Sequence, residues 1–333
     1  MKKTIAAVLA LVLASGLAFG IDTSAFKQFY TIHVATFFAK DCIKAHGLYE
    51  KLKNEGLMVY YIRDKENNHD CVRIRVGVFG NEDEAKQAAR AFKEAHKMDA
   101  VAAKTLGISI SDFNGKFDII NTPSGLWLYD YKNFRELKNF GTDFYSETVA
   151  AENPASVSPD GREVVYFFNG KINKIDIASG KELVLLDKVK YGSELERSSP
   201  KWSNDGKYVA FLDKFDAKNK TCLKLLKADG SQVLCLVDNS HKNRAVMSFV
   251  WAPKGGRIYY VEGEMGMRVP VGGGLFYTDL KGHETALVTP EKGSVVYKKF
   301  EVEGNKVLYA IAKFKNKAKD EYDLSPEQSL EVK

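Results

Sequence analysis

Hydrophobic and polar positions alternate from Phe29 to Phe37, reading Phe-Tyr-Thr-Ile-His-Val-Ala-Thr-Phe, which predicts a strand. From Asp41 to Asn54 the period changes. Ile43, Leu48 and Leu52 recur at helical intervals, and Gly56 sits just past the end as a stop. Leu57 to Arg63 predicts a second strand, Lys65 to Asp70 a polar turn, and Cys71 to Val78 a third strand. Asn81 can cap a second helix reaching Ala95, with Glu82, Asp83 and Glu84 in a first turn where the helix dipole favours them. Val101 to Lys104 supplies a short last strand. The order β-α-β-β-α-β is that of an α+β split βαβ module, residues 28–104, with both helices on one sheet face.

Alternation then sorts the strand residues between two faces. With Ile32 and Val34 inward, Thr31 and His33 point outward; with Val72, Ile74 and Val76 inward, Arg73 and Arg75 point outward. If Tyr60 and Ile62 are inward, Tyr61 and Arg63 point outward. The helix-free face is thus expected to gather His33, Tyr61, Arg63, Arg73 and Arg75. Guanidinium forks, a phenol and an imidazole suit a hydroxyl-rich ligand. A merely solvated sheet face would carry the same residue types.

Beyond residue 104 a repeat takes over. Pro154–Phe167, Pro200–Phe211 and Phe249–Tyr260 share an apolar run, a turn and a second apolar triplet, and Phe300–Tyr309 is a degraded copy. The turn glycines Gly161, Gly206, Gly255 and Gly304 step by 45, 49 and 49, and stepping back 46 reaches Gly115. Asp-Gly supplies the positive φ of a tight turn between strands. Lys171–Asp176, Leu223–Ala228 and Gly274–Leu280 take a third-strand place. Short strands in 45–49-residue units read as propeller blades, so residues 105–333 are expected to form five, closed by pairing of Leu106–Ile110 with the last. Trp202 and Trp251 hold equivalent repeat positions and read as core residues.

The N-terminus changes the picture of where this fold works. Residues 1–20 have a Lys-Lys start, an apolar run from Ile5 to about Leu13, and Ala18-Phe19-Gly20 at a cleavage-like position. This is read as a signal peptide that is removed, placing the mature chain in the periplasm; the apolar run is short and Ala-rich for a membrane span. The four cysteines agree with export. Asp229-Gly230 folds Cys222 and Cys235 towards each other, so that pair is expected to bond, with Cys42 and Cys71 as the second pair; free buried thiols are the alternative. A formal charge of +6 over 333 residues, spread without a basic stripe, excludes an obvious nucleic-acid binder and gives no electrostatic anchor for a membrane. The basic run Lys313–Lys319 reads as a solvated loop.

Two resemblances add to this reading. Tyr30-Thr31-Ile32-His33-Val34-Ala35-Thr36-Phe37 resembles the opening strand of SPOR domains, Tyr-x-Val-Gln-Val-Gly-Ser-Phe. Val72-Arg73-Ile74-Arg75-Val76-Gly77-Val78-Phe79 resembles their third strand, Tyr-Arg-Val-Arg-Val-Gly-Pro-Phe, and the helix opening Asn81-Glu82-Asp83-Glu84-Ala85 fits as well. SPOR domains bind peptidoglycan glycan strands that lack stem peptides, through the open sheet face, which implicates His33, Arg73 and Arg75. His33 stands where Gln is usual, and Val78 where Pro is usual. The repeat, with its Trp-Ser-Pro-Asp-Gly-Lys pattern, resembles that of TolB-type propellers, which implies protein–protein contact rather than catalysis.

No nucleophile elbow, His-Glu-x-x-His or phosphate-binding loop is present. Gly272-Gly273-Gly274 lacks a following Lys-Ser/Thr and reads as a flexible loop, and Glu262–Arg268 as a long insertion able to form a binding rim. The expectation is a non-enzymatic envelope protein without metal or cofactor. It binds peptidoglycan glycan through the first domain and another envelope protein through the propeller. The alternative is an assembly protein whose first domain binds protein instead of glycan.

Overall fold

The computed structural model describes residues 29–38, 41–66, 69–105, 108–141, 155–189, 200–214, 221–239, 244–265, 270–297, 300–316 and 321–332. The expected signal peptide, residues 1–20, lies outside them. The chain divides into two compact units, residues 1–154 and 155–333.

The first unit opens with β1 (Phe29–Phe38), α1 (Cys42–Asn54), β2 (Val59–Glu66), β3 (His69–Phe79), α2 (Glu82–His96) and β4 (Val101–Thr105). These boundaries lie close to those expected from hydrophobic period. Lys65, Glu66, His69 and Asp70, expected in a turn, belong to the strands instead, because the β2–β3 ladder runs on to Glu66 opposite His69. The strands form one antiparallel sheet in the order β2-β3-β1-β4. Asn81 caps α2 as expected: its side chain accepts from the Glu84 N–H at 2.9 Å. Gly77 has φ of 69° at an irregularity in the β1–β3 register, and a Cβ there would meet the Phe79 ring at 2.9 Å. Thr31 closes this bulge, donating its hydroxyl towards the carbonyls of Val76 and Gly77.

The same unit contains a second sheet, β5 (Ser109–Phe113), β6 (Phe117–Thr122), β7 (Gly125–Tyr129) and β8 (Phe134–Asn139), in sequential antiparallel order. Ser109 and Ile110 pair with Asn121 and Ile120 of β6, the neighbouring strand of this sheet. The short Asn114-Gly115 turn holds β5 against its neighbour, with φ of 50° and 67°.

The second unit is an array of sheets. β9 (Ser156–Val157), β10 (Glu163–Phe168), β11 (Lys171–Asp176) and β12 (Glu182–Leu186) form the first. β13 (Lys201–Trp202), β14 (Tyr208–Lys214), β15 (Thr221–Lys227) and β16 (Val233–Val237) form the second. β17 (Arg244–Trp251), β18 (Arg257–Met265), β19 (Pro270–Asp279) and β20 (Glu284–Val288) form the third. The last repeat departs from this plan. Its strands β21 (Ser294–Val296), β22 (Glu301–Glu303), β23 (Lys306–Tyr309), β24 (Ile311–Asn316), β25 (Glu321–Leu324) and β26 (Gln328–Glu331) divide into two three-stranded sheets, β21-β24-β25 and β22-β23-β26.

One turn explains the repeat. The Ser158 N–H donates to the Glu163 carbonyl, the Ser158 hydroxyl donates to Asp160 at 2.6 Å, and the Glu163 N–H donates to the same hydroxyl at 2.9 Å. Ser203, Asp205 and Tyr208 repeat the pattern at 2.7 and 3.0 Å. The aspartates therefore serve the turns, and the Ser158 hydrogen bond holds the Asp160 carboxyl below its ordinary pKa. Where Ala252 replaces serine, the hydroxyl bonds are absent and the backbone bond to Arg257 is kept, at 3.0 Å.

Consecutive sheets pack through apolar clusters. Val165, Phe167 and Ile172 meet Trp202, Val209 and Phe211; Leu212, Leu223 and Leu225 meet Val246, Phe249 and Trp251. The first strands of successive sheets are also clasped. The Trp202 N–H donates to Ser156 Oγ at 3.1 Å and Trp251 Nε1 to the Lys201 carbonyl at 3.1 Å. Lys201 Nζ donates to the Phe249 carbonyl at 2.9 Å and lies 5.0 Å from that ring's centre, and burial pulls its pKa down to about 8.

Two further expectations are corrected. Gly272–Gly274 is not a loop but part of β19, paired with Glu262–Glu264 of β18. A Cβ on Gly273 would come within 2.2 Å of the Glu262 carbonyl, so the ladder itself demands glycine. Lys313–Asn316 belongs to β24, with Lys315 ion-paired to Asp323 at 2.6 Å; residues 317–320 lie outside the described segments. Cys71, Cys222 and Cys235 carry free thiols in this structure, and the Cys42 side chain lies outside the description.

Trp202 is buried within the cluster joining the first two array sheets, whereas Ser203 serves a local turn. Trp202→Ala should therefore destabilise the array by about 3–5 kcal/mol and Ser203→Ala by only about 1 kcal/mol, read by denaturant unfolding. Equal losses would refute the packing account.

Candidate functional site

The register of the first sheet brings side chains together in rows, because residues directly opposed across antiparallel strands share a face. One row runs Tyr60–Arg75–His33–Val101. The next runs Ile62–Arg73–Thr36, and the third Asp64–Cys71–Phe38. A register shift between His33 and Ala35 inserts one residue, so Thr36 rather than Ala35 follows His33 on this face.

His33, Arg73 and Arg75 therefore lie together as expected, but Tyr61 and Arg63 do not join them. Tyr61 opposes Ile74 and Arg63 opposes Val72, on the helix side of the sheet. There the Tyr61 ring stacks on Tyr49 of α1 with centroids 4.6 Å apart. Tyr60 and Ile62 take the positions beside Arg75 and Arg73 instead.

The error has a physical cause. Residues 57–62 are all buried, so the strand shows no alternation to read. One side of β2 faces the helices; the other packs on the β5–β8 sheet. Met58, Tyr60 and Ile62 join Phe29 in a cluster with Ile108, Ile120, Trp127 and Tyr129. The edge of β2 is also engaged, since the Tyr61 N–H donates to Ser124 Oγ at 2.9 Å. On the helix side, the Tyr49 hydroxyl donates to Glu136, Lys53 Nζ lies 2.9 Å from the same carboxylate, and Asn139 Nδ2 donates to the Tyr49 oxygen at 2.9 Å.

Half of the sheet face expected to be open is thus occupied by the chain itself. Arg75, between the covered and uncovered halves, is only 7% exposed. What remains accessible is His33, Thr36, Arg73 and the exposed side chains Phe38 (38%) and Val101 (58%). Arg73 Nε lies 3.0 Å from Asp64 Oδ2, an ion pair that draws the guanidinium diagonally towards the third row. Thr36, Phe38, Asp64 and Val101 were missed by sequence reasoning; only the bulge after His33 reveals the first two.

His33 Nε2 and Thr36 Oγ1 are 3.1 Å apart. Burial, then the charges of Arg75 and Arg73, lower the imidazole pKa to about 4. At neutral pH His33 is therefore uncharged, offering one donor and one acceptor. Among the described residues no group of three or more His, Cys, Asp or Glu could hold a metal ion, and no helix is long and apolar enough to cross a membrane.

Residues 27–104 match the family model of the SPOR domain. No curated protein matches the chain. Among solved structures, a protein of Agrobacterium tumefaciens described as a TolB is 19% identical, with 52% of this chain and 61% of that one covered, at a TM-score of 0.38. The chain thus spans less than two thirds of that protein's length. TolB from Acinetobacter baumannii is 14% identical over 79% of each chain, TM-score 0.31. The β-propeller domain of the Trilobed protease from Pyrococcus furiosus is 12% identical, with 66% and 71% covered, TM-score 0.38.

The His33 environment carries a pH signature. Its folded pKa of about 4 lies below the ordinary 6.5, so its contribution to stability is complete above pH 6.5 and is lost as the pH falls towards 4. Between pH 7 and 4 the wild-type first unit should lose more stability than a His33→Gln variant, measured by denaturant unfolding at each pH. Parallel profiles would contradict the assigned environment.

Proposed function

We propose that the protein is a periplasmic, non-enzymatic envelope component, exported by its N-terminal leader, that docks on peptidoglycan glycan strands. The observation that carries this is the SPOR match over residues 27–104, together with the rows that gather His33, Thr36 and Arg73 on the accessible half of the sheet face. Arg73 and Thr36 would contact glycan hydroxyls, and Phe38 would offer a surface for a sugar ring. Neutral His33 can replace the usual glutamine without adding charge, because both side chains offer a donor and an acceptor. Arg75 acts from behind, holding the field around His33. Domain limits of 28–104 and 105–333 remain our functional division, with the repeats as five blades, the last one irregular. Their surface would recruit a second envelope protein.

A second reading keeps the protein in the envelope but gives the sheet face to a protein partner. Exposed Phe38 and Val101 beside a half already covered by the chain's own sheet favour it.

Co-pelleting with purified sacculi, before and after an amidase removes stem peptides, separates the two. Glycan docking predicts more pelleting after stripping, and a roughly tenfold loss on Arg73→Ala, as expected for a charged hydrogen-bond donor. Arg75→Ala should also lower stability, because that side chain is buried. A folded protein that ignores both forms of sacculus would favour the second reading.

A further inference from the structure

The second array sheet gathers nucleophilic and charged side chains on one face. Asp213 of β14 opposes Cys222 of β15, and Lys224 opposes Cys235 of β16. Residues two apart on a strand share a face, so these four are neighbours. Lys224 Nζ lies 2.5 Å from Asp213 Oδ2. The Cys222 sulfur lies 3.4 Å from the Asp213 carbonyl oxygen and within hydrogen-bonding reach of Cys235. The two thiols differ in access: Cys222 is buried, whereas Cys235 is exposed on the sheet's outermost strand.

We propose that Cys235 and Cys222 form an exchangeable dithiol–disulfide pair that reacts with disulfide substrates, Cys235 as attacking sulfur and Cys222 as resolving sulfur. This goes beyond the envelope-docking role and does not depend on it. The Cys235 thiolate attacks one sulfur of R–S–S–R, forming a mixed disulfide and releasing R–S⁻. The Cys222 thiol gives its proton to that thiolate, and its sulfur then attacks Cys235 Sγ. The mixed bond breaks, the Cys222–Cys235 bond forms, and a second R–S⁻ leaves and takes a proton from water. Two electrons pass from the pair to the substrate disulfide.

The surroundings divide the roles. The hydrogen bond from Cys222 and the Lys224 cation draw the Cys235 pKa down, against the opposing effects of burial, Asp238 and Asp213. The hydrogen bond to Cys235 and burial keep the Cys222 thiol protonated until its partner has reacted. The product bond would tie the outermost strand to its neighbour across the Asp229-Gly230 hairpin.

The test uses the full chain, reduced, freed of reductant and incubated with oxidised glutathione. Thiol titration and peptide mapping should show loss of two thiols and a Cys222–Cys235 link. Cys222→Ser should accumulate glutathione on Cys235. Cys235→Ser should leave Cys222 unmodified while folded and open to modification in denaturant. A stable glutathione adduct on wild-type Cys235 without the internal link would overturn the pairing. Modification of Cys222 in folded Cys235→Ser would overturn the assigned order.

Discussion

The first unit depends on the double burial of β2. This strand lies at the edge of its sheet, yet both faces and part of its hydrogen-bonding edge are engaged. Tyr60 and Ile62 bury their apolar surface against Trp127 and Tyr129, while Tyr61 stacks beneath α1. At about 25 cal/mol per Å² of apolar surface removed from water, several aromatic side chains outweigh the few polar contacts around them. The β5–β8 sheet therefore belongs with the SPOR-like module in compactness, although its Gly115 turn belongs with the repeats in sequence.

That constraint shapes the candidate site. A face that alternation alone would leave fully open is narrowed to the rows around His33, Thr36 and Arg73. Burial and two arginine charges keep His33 neutral at physiological pH. The same arrangement changes the meaning of Arg75, which is more a buried electrostatic neighbour than an accessible ligand-binding fork. Electrostatics and shape thus act together: the covering sheet limits the footprint, and the arginines set the protonation state within it.

The array works by a different economy. The first two repeats have a turn satisfied locally by serine, aspartate and glycine, and the array's apolar strands cannot be buried by one sheet alone. Packing against the next sheet supplies the missing cover, and tryptophan and lysine clasps join the first strands. The final segment keeps its turn glycine, with φ of 59° at Gly304, but its strands split between two small sheets. The turn is a local property; how strands combine around it is not.

Local chemistry determined much of this protein. The β-α-β-β-α-β order, the Asn81 cap, the Asp-Gly turns and the buried places of Trp202 and Trp251 follow from spacing, capping and turn conformation, which act over a few residues. Tertiary structure decided the rest. A strand apolar on both sides has no parity to read, so only the register assigns Tyr60 and Ile62 to one face and Tyr61 and Arg63 to the other. Only the bulge after His33 places Thr36 beside Arg73. The hairpin turn between Cys222 and Cys235 was legible, but their unequal exposure depends on which strand lies outermost. Faces and edges belong to the neighbours a segment acquires on folding, and those neighbours come from distant parts of the chain.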